Sequence, residues 1–413
     1  MEQFEQFEQF EHKKRKQKNN FWKGALCGAL AMLVVSLIVW GTIIIFTLMN
    51  RNTTNGEEGI VSSRTLWKLE EIQELIDEYY LYSDEVDAQV LQDYLVKGYV
   101  NGLQEPYSVY YDQAETTALF ESTSGTFGGI GVAIMQDTTS GLVTFTKIYK
   151  NCPGEKAGFK EGDVVYKVNG EDVTSQDLDT IVSQIRGELG TDVEITVIRD
   201  GEEYTGTATR ALIENDTVEY EMKDDKLGYI QVTAFEDVTL KQFEEALDDL
   251  NKQGMKGLVI DLRSNPGGNL ATVVDMVDLI LSKGTIVSIE DRNGNGNVYK
   301  AKKDNKLNVP LVVLINGYSA SASEIFAGAV KDHELGTLVG TTTYGKGIVQ
   351  NIYSLNDGTS LKITSSEYFT PNGTNIHGVG VAPDVEIEYE YDESNPDKDN
   401  QLEKAIDVLK NGM

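Results

Sequence analysis

The sequence predicts a mixed α/β core preceded by a small β-rich insertion, an N-terminal helical segment and a single N-terminal helix able to cross a membrane. Three observations predict it. From Leu227 onward short apolar runs alternate with amphipathic helical stretches, while between Glu121 and Thr209 short strands alternate with glycine turns. Gly24–Met49 is an uncharged apolar run. At 413 residues the chain has room for two or three domains and a substantial core. Its formal net charge of −30 argues against a nucleic-acid partner. Cys27 sits in an apolar stretch and Cys152 in a polar loop, so no disulfide between them is expected. No metal-ligand spacing is present and no cofactor is expected.

Met1–Phe10 is a Glu-Gln-Phe triplet repeat that reads as a disordered tail or a small docking segment. The basic cluster Lys13–Lys18 follows, and residues 1–23 read as a cytoplasmic basic tail. As a helix, residues 24–49 would reach roughly 39 Å at ~1.5 Å per residue, enough to span a ~30 Å hydrocarbon layer with some tilt. Trp22 and Trp40 are candidate interface anchors. A cleaved signal peptide is the rival reading. The long apolar region and the lack of a small-x-small cleavage site favour an uncleaved anchor in the cell membrane, with everything after Asn50 outside the cytoplasm.

Residues 50–63 are polar and turn-rich, a linker. Helical periodicity over Trp67–Ile76, and a second helix over Val86–Leu103, make 64–120 a helical segment that ends near the aromatic patch Tyr107–Tyr111. Residues 121–209 form the insertion, with a helix near Ser175–Arg186 and a hairpin turning at Asp200-Gly201. Successive N–H groups in its Gly-rich turn, Gly129-Ile130-Gly131-Val132, can form a nest for an anion.

Residues 210–390 hold the core. Strand Leu227–Val232, helix Leu240–Gln253, strand Gly257–Leu262 and helix Leu270–Leu281 imply right-handed crossovers and a partly parallel sheet. Beyond Lys346 the chain becomes strand-rich, as in Gly358–Thr364. Residues 391–413 continue an acidic stretch into a short helix, Gln401–Lys410.

Within the core, the buried strand Val309–Ile315 runs into Asn316-Gly317-Tyr318-Ser319-Ala320-Ser321-Ala322-Ser323-Glu324 and then into helix-forming residues up to Val330. Small side chains at such a corner let other backbone approach, and the first N–H groups of the helix lack partners within it. The corner can present Ser321 as a nucleophile or simply cap a helix. A nucleophilic serine needs a base. His12 lies in the tail, which leaves His333 and His377 for a Ser-His pair. The other candidate is Lys346, flanked by Gly345 and Gly347. It can act as a general base if burial and nearby positive potential lower its pKa from about 10.4; otherwise it is a surface turn. The strand Gly257–Leu262 ends in Arg263-Ser264-Asn265-Pro266-Gly267-Gly268, a tight turn whose glycine N–H suits half of an oxyanion hole.

In this order and spacing the three stretches resemble the carboxyl-terminal processing peptidases, also called tail-specific proteases, which are Ser-Lys enzymes. The resemblance extends from about Trp67 to Val385. It implies that Ser321 is the nucleophile, Lys346 the base, Gln350 the residue that positions the lysine, and the N–H groups of Gly267 and Ala322 the oxyanion hole. Gly129–Val132 resembles the carboxylate-binding loop of a PDZ domain, and Asn151–Gly170 is similar to the same fold. Gly129, Ile130, Gly131 and Val132 are thereby implied to hold a peptide's terminal carboxylate.

The implied architecture is a mixed α/β peptidase core with an inserted PDZ domain, a helical segment and one membrane anchor. The implied activity is that of a membrane-anchored serine endopeptidase acting on proteins with apolar C-terminal tails. Family members also use their terminal helices to pair, so a homodimer is a further expectation. Two alternatives stand beside this. A non-catalytic membrane PDZ scaffold has intact Ser321, Lys346 and Gln350 against it, and a Ser-His esterase needs His333 or His377 near Ser321.

Overall fold

The structure, a computed structural model of the chain, describes Met32 and residues 59–302, 307–396 and 398–412. The triplet repeat, the basic cluster and, Met32 apart, the apolar span 24–49 lie outside the described residues, as do residues 50–58 of the expected linker. Among the described residues no helix is long and apolar enough to cross a membrane. The chain divides into two compact units, 1–91 and 92–413.

The first unit carries α1 (Ser63–Tyr79), which starts where the Ser62 hydroxyl accepts the Thr65 N–H at 3.3 Å. None of its residues is buried, and Leu66, Trp67, Ile72 and Leu75 are exposed. α2 (Ala88–Asn101) begins in this unit and ends in the second.

In the second unit β1 (Val109–Tyr111) leads to α3 (Gln113–Ser124). This helix opens on a reciprocal cap. The Asp112 carboxylate accepts the Glu115 N–H and the Glu115 carboxylate accepts the Asp112 N–H, both at 2.9 Å. α3 therefore runs across the expected boundary at residues 120 and 121, because the cap outweighs the poor helix propensity of its Thr and Ser residues.

The chain then passes through β2 (Thr126–Gly129), β3 (Val132–Gln136), β4 (Val143–Ile148), α4 (Pro153–Lys156), β5 (Val164–Val168), β6 (Glu171–Asp172), α5 (Leu178–Ile185), β7 (Asp192–Arg199), β8 (Glu202–Thr209) and β9 (Ala211–Glu214). β2 and β9 pair, closing the insertion at its neck. Between them lies an antiparallel sheet in the order β3-β4-β5-β7-β8, with β6 beside β5. The β7–β8 hairpin turns at Asp200 and Gly201, whose φ angles of 54° and 87° match the twist of a two-residue hairpin. Phe145, Phe159, Val165, Ile195 and Val197 fill the centre. Arg199 grips the buried Asp163 through two bonds of 2.7 and 2.6 Å.

The remaining elements are β10 (Val218–Lys223), β11 (Leu227–Val232), α6 (Thr239–Lys252), β12 (Gly257–Asp261), α7 (Leu270–Asp278), β13 (Thr285–Asp291), β14 (Gly296–Lys300), β15 (Leu311–Ile315), α8 (Ala322–Asp332), β16 (Thr337–Gly340), β17 (Ile348–Ser354), β18 (Ser360–Phe369), β19 (Val385–Glu386) and α9 (Asn400–Gly412). One sheet runs β10-β11-β12-β15-β16-β19, parallel except for β10 at its edge. Every residue of β12 and β15 is buried, as parallel strands covered on both faces require. Phe243, Met276 and Phe326 of α6, α7 and α8 share one core with Leu258, Ile260 and Val313. Ala405 and Leu409 of α9 pack with Val259, Val312 and Leu314, the alternate residues of the same strands. The C-terminal helix, expected as a segment beyond the core, thus covers the sheet's second face. In the other sheet β18 is the hub: β17 lies along one edge, and β1 and β13 along the other.

Candidate active site

β12, β15 and β16 are parallel neighbours, so the loops leaving their carboxyl ends meet at one edge of the sheet. The loop after β15 carries Ser321, the loop after β12 carries Gly267, and the loop after β16 carries Lys346 on its way into β17.

Ser321 sits at φ 53° and ψ −112°, a conformation that costs a non-glycine residue of order 1–3 kcal/mol. Its surroundings over-determine it. The Ser321 N–H donates to the Glu324 carboxylate at 2.8 Å, and its carbonyl accepts the N–H groups of Glu324 and Ile325 at 2.9 and 3.0 Å. The same carbonyl accepts the Tyr368 hydroxyl at 3.1 Å. Ser319 and Ser323 are fully buried, and their hydroxyls donate to the Leu262 and Asn265 carbonyls at 2.7 and 2.9 Å. These two serines stitch the corner to the loop after β12.

The anchor of the whole arrangement is Glu324, a residue quoted in the motif but assigned no role from sequence. Its carboxylate is fully buried. One oxygen accepts the Thr343 hydroxyl at 2.6 Å and the Gly345 N–H at 2.7 Å; the other accepts the Ser321 and Lys346 N–H groups, both at 2.8 Å. A single side chain therefore ties the backbone of the serine corner to that of the lysine loop.

Ser321, Ala322, Gly267, Lys346 and Gln350 all line one cleft of about 450 Å³, whose apolar wall includes Leu119, Phe235, Leu270 and Ile325. Lys346 is half-buried. Burial first, and then the charge of Lys362, lower its pKa from the ordinary lysine value against the opposing pull of Glu105 and Glu324. Its Nζ lies 4.4 Å from the centre of the Tyr107 ring, a cation–π contact. The Tyr107 hydroxyl stands 3.4 Å from that of Tyr344; this hydrogen bond, with burial, raises the Tyr107 phenol to about 12. It stays protonated at neutral pH. Gln350 donates through Nε2 to the Thr364 hydroxyl at 3.1 Å.

Gly267, at φ 106°, lies hard against the corner. A Cβ there would stand 2.7 Å from the Ala320 carbonyl oxygen, 2.9 Å from the Ser321 Cβ and 3.0 Å from the Ala322 nitrogen. Its N–H, expected to be open to an oxyanion, donates to the Asn265 Oδ1 at 2.8 Å. The Ala322 N–H opens α8 and has no intrahelical acceptor.

In the insertion, the Ile130 carbonyl accepts the Gly154 N–H at 2.6 Å and the Gly131 carbonyl accepts the Tyr149 N–H at 3.0 Å. A trans peptide points its N–H opposite its C=O, so the N–H groups of Gly131 and Val132 face away from that segment. Val132 opens β3, the sheet's edge strand, whose outer side is unpaired within this sheet. The Gln136 side chain donates to the Gln176 carbonyl at 3.2 Å, joining the end of β3 to the approach to α5.

Neither described histidine lines the cleft. His333 Nε2 is bonded to the Thr285 carbonyl at 2.7 Å, and His377 is exposed in the loop packed on Gly347. Among the described residues no group of three His, Cys, Asp or Glu side chains is placed to hold a metal ion.

Comparison with known proteins adds independent evidence. The family profile of peptidase family S41 matches residues 226–387, and that of the PDZ domain matches residues 144–199. The carboxy-terminal processing protease CtpA of Bacillus subtilis is 35% identical over 360 residues, covering 86% of this chain and 76% of that protein. A carboxy-terminal-processing protease of Bartonella bacilliformis is 35% identical over 347 residues, covering 81% of this chain and 77% of that protein. A solved structure of an S41 protease from Bacteroides fragilis, 15% identical, aligns over 83% of this chain and 97% of its own length with a TM-score of 0.51, a likeness of fold.

Proposed function

The chain belongs to the carboxy-terminal processing proteases of peptidase family S41 and contains a PDZ domain, and from that premise we propose that it is a membrane-anchored endopeptidase working through a Ser321–Lys346 dyad. Its PDZ domain takes the apolar C-terminal tail of a protein substrate, with the terminal carboxylate at the Gly129–Val132 loop. The Ser321 hydroxyl attacks a peptide carbonyl while neutral Lys346 takes its proton and later returns it to the leaving amine. Gln350 orients the amine. The Ala322 and Gly267 N–H groups hold the oxyanion, which competes with Asn265 for the Gly267 donor. Water then releases the acyl group.

The observation that supports this reading is the shared cleft, where a strained serine and a half-buried lysine of lowered pKa face the same space. The base is the neutral amine, so turnover rises with pH through the Lys346 ionisation, and a lowered pKa brings that limb below the ordinary lysine range. Lys346→Arg keeps the charge but cannot give up a proton, so it is inactive on an unstructured casein substrate. Near-normal turnover by both Lys346→Arg and Lys346→Ala would remove the dyad.

The anchor rests on the Lys13–Lys18 cluster ahead of residues 24–49, which directs the catalytic domain to the extracytoplasmic face. A C-terminal reporter active only in the cytoplasm overturns it. The exposed apolar residues of α1 support pairing with a second copy.

A further inference from the structure

We infer that Glu105 is the positioning residue for the Lys346 amine: through the Thr364 hydroxyl it decides which end of the Gln350 amide faces the lysine, and through the Tyr107 N–H it holds the ring under the ammonium. The inference rests on the Ser-Lys reading above. Pairing of β1 with β18, with Val109 opposite Lys362, carries the segment before β1 to Thr364. There one Glu105 oxygen accepts the Ser108 hydroxyl at 2.6 Å and the Thr364 hydroxyl at 2.8 Å; the other accepts the Tyr107 N–H at 2.8 Å. The Ser108 hydroxyl in turn accepts the Thr364 N–H at 3.1 Å. The register of β17 and β18 steps from Val349–Ser366 to Gln350–Thr364, passing over Ser365, which puts Gln350 directly across from Thr364.

A hydroxyl has a single proton, and Thr364 gives its own to Glu105, so it meets Gln350 only as an acceptor. The amide must therefore present Nε2 to Thr364, as it does at 3.1 Å, which turns its oxygen, at the other end of the planar group, away from Thr364. An amide oxygen toward a neutral lysine accepts an N–H and leaves the nitrogen lone pair for the serine proton. An inverted amide would offer an N–H instead and compete for that lone pair. Burial pushes the Glu105 carboxyl up, but the bonds from Ser108, Tyr107 and Thr364 outweigh it and hold the group below the ordinary glutamate value. Glu105 is then the pure acceptor this relay needs. The charged or titratable groups facing the amine are Lys362 of β18, Glu105 and Tyr107 ahead of β1, and Glu324 of α8.

The test measures kcat, KM and the pH profile of the full chain on fluorescent casein. Glu105→Gln is expected to lower kcat about tenfold with little change in KM. It also moves the rising limb to lower pH, because the lost carboxylate no longer favours the ammonium. Thr364→Val lowers kcat similarly but leaves the limb in place, since the charge remains, and Thr364→Ser recovers most of that loss. On a Gln350→Ala background, Glu105→Gln costs less than it does alone, because only the Tyr107 route remains to lose. A Glu105→Gln enzyme with parental kcat and pH limb, or losses that multiply fully in the double variant, overturns the inference. Where Glu105→Gln does not fold, equal kcat for Thr364→Val and Thr364→Ser overturns it alone. Lys346→Ala, assayed alongside, separates the two levels. If it stays active the dyad falls and this role with it; if it is dead while Glu105→Gln behaves as parent, only the Glu105 role falls.

Discussion

In the peptidase core four donors from two loops converge on one buried carboxylate, Glu324, whereas in the PDZ domain the loop Gly129–Val132 is pinned by two of its own carbonyls. The two candidate sites are held by opposite means. The core cleft brings together side chains from distant loops, and the carboxylate that ties those loops is buried away from water. The PDZ loop depends on backbone conformation, so few side-chain changes touch it, and the proposed carboxylate recognition there is tested through the charge of the ligand. A site that must align several groups is anchored by a side chain that several loops share; a site that must only receive an anion can be left to a glycine turn.

The largest effect expected is on the core. Ser321→Ala abolishes casein hydrolysis and leaves the melting temperature almost unchanged, because the corner is held by the Ser321 backbone and the Glu324 carboxylate, which the substitution keeps. Ser319→Ala and Ser323→Ala behave oppositely: turnover persists while each removes one buried hydrogen bond to a carbonyl that keeps a second backbone donor, and lowers stability by about 0.5–1.5 kcal/mol. A dead Ser319→Ala beside an active Ser321→Ala would mean the corner is misregistered.

Next is Glu324→Gln, which sets an amide NH2 among donors. We expect a loss of about 2–4 kcal/mol in urea titrations, with turnover reduced even in the fraction that remains folded. Unchanged stability and turnover would erase the contrast between the two sites.

The PDZ side is smaller and is read through the ligand. On full-chain Ser321→Ala protein, amidating an apolar-tailed peptide should weaken binding by roughly 1.5–3 kcal/mol, the scale of charge-assisted hydrogen bonds. Equal affinities by calorimetry would show that the loop does not read a terminus. Smallest of all is replacement of both His333 and His377 by alanine, for which turnover should stay within about twofold because neither lines the cleft. Loss of activity in a folded double variant would revive the Ser-His alternative.

Much of the fold was legible because it is written in short-range pattern. Leu311–Ile315 is apolar and β-branched and became a buried central strand; Thr239–Lys252 carries an amphipathic stripe and became a helix. Helix α3 was not marked in the sequence, because it starts on a capping box at Asp112 and Glu115 while its Thr and Ser residues give little helical signal. Helix α9 was legible as a helix but not as part of the core, because its apolar stripe gives no hint of which sheet face it will cover.

By itself the sequence determined the corner at Ser321, the glycines that let backbone crowd it, the lysine between two glycines and the anion-suited turn at Gly129–Val132. These depend on a few consecutive residues, whose backbone and side-chain preferences act over one turn or one strand. Only the tertiary structure decided that Glu324 joins the serine and lysine loops, that Asn265 engages the Gly267 N–H, and that Glu105 reaches Thr364 across 259 residues. The partner of a buried polar group follows from which strands pair and in what register. A one-residue slip of β18 against β1 would turn Thr364 to the opposite face, and no pattern near residue 105 reports that register.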